Sequence, residues 1–135
     1  MKYMLDTNMC IFLIKKKPAR VLEAFKQLSV GDLCLSTITV AELEYGVAKS
    51  SSRSKNLAAL ASFLVPLEIL SFSEQAARVY GEVRAELEKK GKIIGPYDLL
   101  IASHALSEGF TLVTNNLEEF QRVPGLSVDD WSADE

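Results

Sequence analysis

Asp6, Glu42, Asp98 and Glu119 each stand where an apolar run gives way to polar residues. A fold that brought those four breaks to one edge would gather four carboxylates in a single cleft. Carboxylate oxygens suit hard divalent cations such as Mg2+ or Mn2+. Without a cation, crowded acids raise one another's pKa until some of them hold protons. The chemistry to expect is therefore metal-assisted. Other routes find little support: there is no GxSxG, no Gly-rich phosphate loop and no zinc-ligand spacing. His104, the only histidine, falls inside a predicted helix and reads as a core or surface residue, and neither Cys10 nor Cys34 lies in a reactive motif.

The elements that must carry these residues alternate between short apolar strands and helices. Residues 2–5 read as a strand, followed by the polar turn Asp6-Thr7-Asn8 and a helical pattern through Cys10, Ile11, Leu13 and Ile14. A helix is predicted over 18–28, with Pro18 in its first turn, and a strand over 33–36. Ser36 or Thr37 is placed to cap a helix over 38–49 that carries Glu42. After a serine-rich connection, a helix over 55–64, a strand over 68–71 and a long helix over 73–90 follow, the last ended by Gly91. Gly95-Pro96-Tyr97 introduces a helix over 98–108; a strand over 111–114, a helical turn over 117–120 and a strand over 126–128 complete the chain. This order predicts an α/β fold with a central parallel sheet of about four to five short strands flanked by helices.

In such a sheet, ligands bind beyond the carboxyl ends of the strands, where Asp6 and the Asn115-Asn116 pair would lie. Each acid also has a structural reading. Asp6 after a strand is a ready helix cap, and Asp98 in a first helical turn is favoured by the helix dipole. On the helix over 38–49, apolar periodicity places Glu44 nearer the buried stripe than Glu42, so spacing alone leaves the choice between them open.

Length and composition fit one domain over residues 1–135. The chain is 48% hydrophobic and 24% charged, has no low-complexity stretch or repeat, and is long enough to bury a real core. No targeting or membrane-spanning segment is read from the sequence, and two cysteines without paired spacing suit a reducing cytoplasm. The net charge of −3 argues against a general nucleic-acid binder. Its distribution softens that argument: Lys15, Lys16, Lys17 and Arg20 form one basic cluster and Lys89, Lys90 and Lys92 another, while Asp129, Asp130, Asp134 and Glu135 concentrate acid at the C-terminus. Either basic cluster alone is equally well read as a solvated helix end.

Taken together, Met4-Leu5-Asp6-Thr7-Asn8, Thr39-Val40-Ala41-Glu42-Leu43, Gly95-Pro96-Tyr97-Asp98 through Ala102, and Val113-Thr114-Asn115-Asn116 through Glu119-Phe120 resemble the PIN-domain ribonucleases. Order, spacing and length are most similar to the VapC-type toxins of bacterial toxin–antitoxin pairs. The resemblance implies catalytic acids at Asp6, Glu42 and Asp98, and so chooses Glu42 over Glu44, with Asp6 and Asp98 as metal ligands. The fourth family acid falls at one of two positions; here the first is Asn116, and Glu119 is the substitute. Thr7, Asn8, Thr114 and Asn116 match polar positions that orient the carboxylates. The implied activity is Mg2+- or Mn2+-dependent cleavage of structured RNA, with transfer RNA and its initiator form foremost, leaving 5′-phosphate and 3′-hydroxyl ends. RNA would be held by the two lysine-rich clusters. Implied partners are a cognate VapB-type antitoxin and a second copy of the chain, in a homodimer or a hetero-oligomer. Two other readings compete: a PIN module that binds RNA or a partner without cutting, as Asn116 suggests, and a phosphatase with Asp6 as nucleophile.

Overall fold

The structure is a computed structural model that describes residues 2–132; Asp134 and Glu135 of the acidic tail lie outside them. Among the described residues five strands, β1 (Tyr3–Leu5), β2 (Leu33–Ser36), β3 (Glu68–Leu70), β4 (Thr111–Val113) and β5 (Val128–Asp129), form one sheet in the order β3-β2-β1-β4-β5. Every pairing is parallel, with Met4 opposite both Cys34 and Leu112. The order runs outward from β1 in one direction and from β4 in the other. The crevice between them, at the carboxyl ends, is the switch point where such sheets bind ligands.

Seven helices within the same residues surround the sheet: α1 (Thr7–Lys15), α2 (Ala19–Lys26), α3 (Thr37–Lys49), α4 (Arg53–Leu64), α5 (Glu74–Lys89), α6 (Pro96–Glu108) and α7 (Leu117–Phe120). Strand periodicity divides the core between the two faces. Met4, Cys34 and Leu112 point one way and pack with Val83 and Leu87 of α5 and Ile101, Ala102 and Ala105 of α6. Leu5, Leu33, Leu35 and Val113 point the other way, onto Cys10 and Leu13 of α1, Val21 of α2, Leu43 of α3 and Leu60 of α4.

Most element bounds match those expected from the sequence, and the differences have local causes. Helix α6 begins at Pro96 rather than at residue 98, because a proline at the first helical position forgoes only a backbone donor that would be unpaired there anyway. Helix α4 starts within the serine-rich connection, at Arg53. The last strand is Val128–Asp129 rather than 126–128, displaced by the turn through Gly125, whose φ of 81° needs a residue without a Cβ. Among the described residues no helix is long and apolar enough to cross a membrane.

Candidate active site

Asp6 leaves the end of β1 and caps α1: its Oδ1 accepts the Met9 N–H at 2.9 Å. The helix-cap reading of this residue therefore holds, and the cap keeps its carboxyl at the end of β1. A hydrogen bond from Thr114, at the end of the neighbouring β4, also favours its charged form, yet the side chain is only 4% exposed. Burial dominates and pushes the carboxyl up to about 6, helped by the charges of Glu42 and Asp130.

Glu42 stands part-way along α3, half-buried, with its Oε1 accepting the Thr7 hydroxyl at 2.6 Å. Glu44 is exposed. The apolar periodicity that favoured Glu44 misleads because α3 packs on both sheet faces: Ile38 joins the cluster with α5 and α6, whereas Val40, Leu43 and Val47 join the opposite one. A helix with two buried stripes has no single polar face, and Glu42 is carried to the cleft alongside Thr7.

Asp98 occupies the first turn of α6, half-buried. Its carboxyl is pushed up to about 7, first by burial, then by a hydrogen bond and charge from Glu119, then by the charges of Asp6 and Glu42. The loop before α6 approaches both acids: a Cβ on Gly95 would lie 3.5 Å from Asp98 Oδ2 and 3.9 Å from Glu119 Oε1. Glu119 itself is held in place, with Oε1 accepting the Gly95 N–H at 3.3 Å and Oε2 accepting Asn116 Nδ2 at 3.1 Å. Asn116 caps α7, its Oδ1 accepting the Glu119 N–H at 3.4 Å, while its own N–H is held by Thr114 Oγ1 at 3.0 Å. Asn116 thus faces Glu119 with its amide nitrogen and uses its oxygen for the cap. Asn8 is exposed beside Asp6, and among the described residues no hydrogen bond ties it to the acids.

Asp6, Glu42, Asp98 and Glu119 therefore form one electrostatic group at the switch point, although among the described residues no three acids, thiols or imidazoles close into a ready-made ion cage. Two carboxyls held above their ordinary range by burial and mutual repulsion fit a hard cation, which would supply the missing positive charge. Sequence reasoning missed two members of this neighbourhood. Asp130 follows β5 and acts on Asp6 through its charge, while its Oδ1 takes the N–H and hydroxyl of Ser132; the rule that singled out Asp6, an acid just past a strand, also selects it. Gly95 brings a backbone donor that no side-chain pattern announces.

The lysines Lys15, Lys16, Lys17, Lys89, Lys90 and Lys92 are exposed, as is Arg20. Lys15 borders a groove of about 290 Å3 between α1, α3 and α4 that also contains Glu42, so the first cluster reaches the edge of the acidic cleft. Lys90 is paired with Glu86 at 3.1 Å.

Acids gathered past the carboxyl ends of a β3-β2-β1-β4-β5 parallel sheet, with helices on both faces, define an α/β domain with an acidic switch-point cleft. The chain belongs to the PIN domain family, whose model matches residues 3–126, and within it to the VapC group. It is 50% identical over 131 residues to the tRNA(fMet)-specific endonuclease VapC of Salmonella typhimurium, covering 97% of this chain and 98% of that protein. It is 48% identical over 131 residues to ribonuclease VapC2 of Haemophilus influenzae, covering 97% and 98%. Among solved structures it superposes on a chain of VapBC2 from Rickettsia felis, bound to a DNA fragment from their promoter, with a TM-score of 0.91 at 46% identity, covering 98% and 100%. A chain of DNA-bound VapBC from Salmonella typhimurium gives 0.92 at 49%, covering 97% and 98%.

Proposed function

We propose that this protein is an endoribonuclease toxin that hydrolyses transfer RNA, initiator transfer RNA in particular, and is neutralised by a VapB-type antitoxin. The observation that carries the reading is the group formed by Asp6, Glu42, Asp98 and Glu119 at the β1/β4 crevice, in a chain half identical to a tRNA(fMet)-specific endonuclease. Asp6 and Asp98 would hold Mg2+ or Mn2+, because their charged forms are the ones least satisfied by the protein. When bound, the cation supplies Lewis acidity and positive charge beside the scissile phosphate. The chain's own groups do the rest. Thr7 fixes the direction of Glu42, Met9 N–H and Thr114 fix Asp6, and Gly95 N–H with Asn116 holds Glu119 against Asp98. Hydrolysis adds water across the P–O3′ bond, leaving a 5′-phosphate and a 3′-hydroxyl. The lysines at 15–17 and 89–92 supply the phosphate attraction that the acidic cleft lacks, and binding weakens with salt.

The antitoxin fits the groove bordered by Ile11, Ile14, Leu43, Val47 and Leu60, an apolar floor with Lys15, Glu42 and Asn56 at its sides. An amphipathic segment lying there ends beside the carboxylates, where one basic side chain takes the place of the cation's charge. A homodimer acting in the cytoplasm completes the reading. Its test is cleavage of purified transfer RNAs with Mg2+ and with EDTA, beside Asp98→Ala. Discrete cuts with 5′-phosphates, lost in EDTA and in the variant, are the expected result. Intact RNA with a well-folded, antitoxin-free protein would leave a module that binds without cutting.

A further inference from the structure

One buried titratable side chain takes no part in the chemistry described above. His104 lies in α6 with none of its surface exposed, and its Nδ1 is 2.8 Å from Ser36 Oγ at the end of β2. Ser36 Oγ also accepts the Ile38 N–H at 3.1 Å and so caps α3. A serine hydroxyl has one proton to give. With that proton directed to Nδ1, every polar atom of the pair is satisfied except Nε2, which has no partner among the described residues. The other neutral tautomer strands two groups, the hydroxyl proton and the Nε2 lone pair. Each buried polar group left unmet is costly, so the network selects a neutral imidazole with its proton on Nε2 and Nδ1 accepting. The Phe72 ring packs edge-on to the imidazole at 5.4 Å, and the Phe72 N–H is held by Thr37 Oγ1 at 3.2 Å, closing the site around the bond.

The bond joins the two helices that deliver opposite sides of the cleft. Ser36 begins α3, and Glu42 lies six residues further along; Asp98 lies six residues before His104 in α6. Each interval is about 9 Å of stiff helix at 1.5 Å per residue. A shift of α3 against α6 at the Ser36–His104 contact therefore moves Glu42 against Asp98. Such displacements, far from the reacting atoms, cost rate steeply because the reacting groups must be aligned closely.

We propose that His104 is a positioning residue: its hydrogen bond with Ser36, accepted at Nδ1, sets the separation of Glu42 from Asp98 across the cleft. The proposal rests on the ribonuclease reading of that cleft. His104→Phe keeps an aromatic ring at the site, larger by one heavy atom, and removes the acceptor. His104→Asn places an amide oxygen roughly where Nδ1 stands but leaves a void, which lowers stability. A role in packing alone makes activity follow melting temperature, so the Phe variant would cut faster than the Asn variant.

The positioning role reverses that order. Assayed on transfer RNA below both melting transitions, His104→Phe has a kcat at least about tenfold below wild type with KM within about twofold, and His104→Asn melts lower yet cuts faster than His104→Phe. In a double-mutant cycle, Ser36→Ala lowers kcat at least about threefold less in His104→Phe than in wild type, since the shared bond can be removed only once while the cap on Ile38 N–H is lost in both backgrounds. Activity that ranks with melting temperature, or losses that multiply in the double variant, overturns the proposal. Nitrogen-15 shifts of the single histidine give a readout that needs no cleavage. The expected signature is a neutral ring protonated at Nε2, altered at Nδ1 by Ser36→Ala; a charged ring or a proton on Nδ1 overturns the assignment. If the wild type cuts no RNA, the ribonuclease reading fails, and the nitrogen signature alone decides whether the bond exists.

Discussion

Replacing Asp6 with Asn should make the metal-free protein more stable above neutral pH. Asp6 is 4% exposed, and burial is the largest cause of a carboxyl pushed from 3.8 to about 6. At about 1.4 kcal/mol per pH unit, keeping that group ionised in the folded chain costs about 3 kcal/mol. The folded chain holds the Asp6 proton more tightly than the unfolded chain, so this group's contribution to stability falls as pH rises from about 4 to about 6, and then levels off. Asn avoids the cost while keeping an oxygen for the Met9 N–H and remaining a good helix cap. Asn has one acceptor atom where a carboxyl group has two, and the poorer acceptance of the Met9 and Thr114 hydrogen bonds takes back about 1 kcal/mol, leaving a net gain of about 2 kcal/mol at pH 8. In a domain of this size that is about 6–10 °C in melting temperature. Melting curves in EDTA at pH 8 and at pH 4.5 measure it, the gain being absent at the lower pH. An Asn variant no more stable than wild type at pH 8, or equally favoured at both pH values, would refute the reasoning. Mg2+ added at pH 8 should narrow the gap by stabilising the wild type.

Asp98→Asn should stabilise the metal-free protein above pH 7 as well, by less than its larger displacement suggests, because the half-buried group is screened by solvent; cleavage should fall at least about 100-fold in the same variant. Thr7→Val removes the 2.6 Å bond to Glu42 and should lower cleavage about tenfold with melting temperature changed by only a few degrees, as steady-state rates and melting curves will show. Asn116→Asp places a second charge against Glu119 Oε2, and should lower the melting temperature in EDTA while tightening Mn2+ binding measured by calorimetry. Lys15→Gln with Lys17→Gln should weaken RNA binding in filter assays and flatten its dependence on salt by about 0.7 in log–log slope for each phosphate no longer neutralised.

The sequence displayed the alternation of strands and helices because local signals agreed with the fold at most boundaries. Ser36 and Ser73 cap the helices they precede, Gly109 ends α6 in the left-handed conformation, and the strands are short β-rich runs. Asp6 was legible because a polar residue after a buried parallel strand emerges at the ligand-binding edge. Glu42 was not legible from periodicity, since α3 serves both faces of the sheet, and its choice came from the family resemblance. Asp130 obeyed the same rule as Asp6 and was overlooked within an acid-rich tail.

The sequence by itself determined the parallel α/β class, the carrier element of each acid and the two basic clusters, because these follow from residue type and spacing along a single element. Only the tertiary structure decided how the acids meet. Burial of Asp6, the contact of Glu119 with Asp98, the Gly95 backbone donor and the Ser36–His104 bond all join residues from separate elements. Ionisation states and distances depend on what lies across the cleft, and no pattern along one strand or helix contains that information.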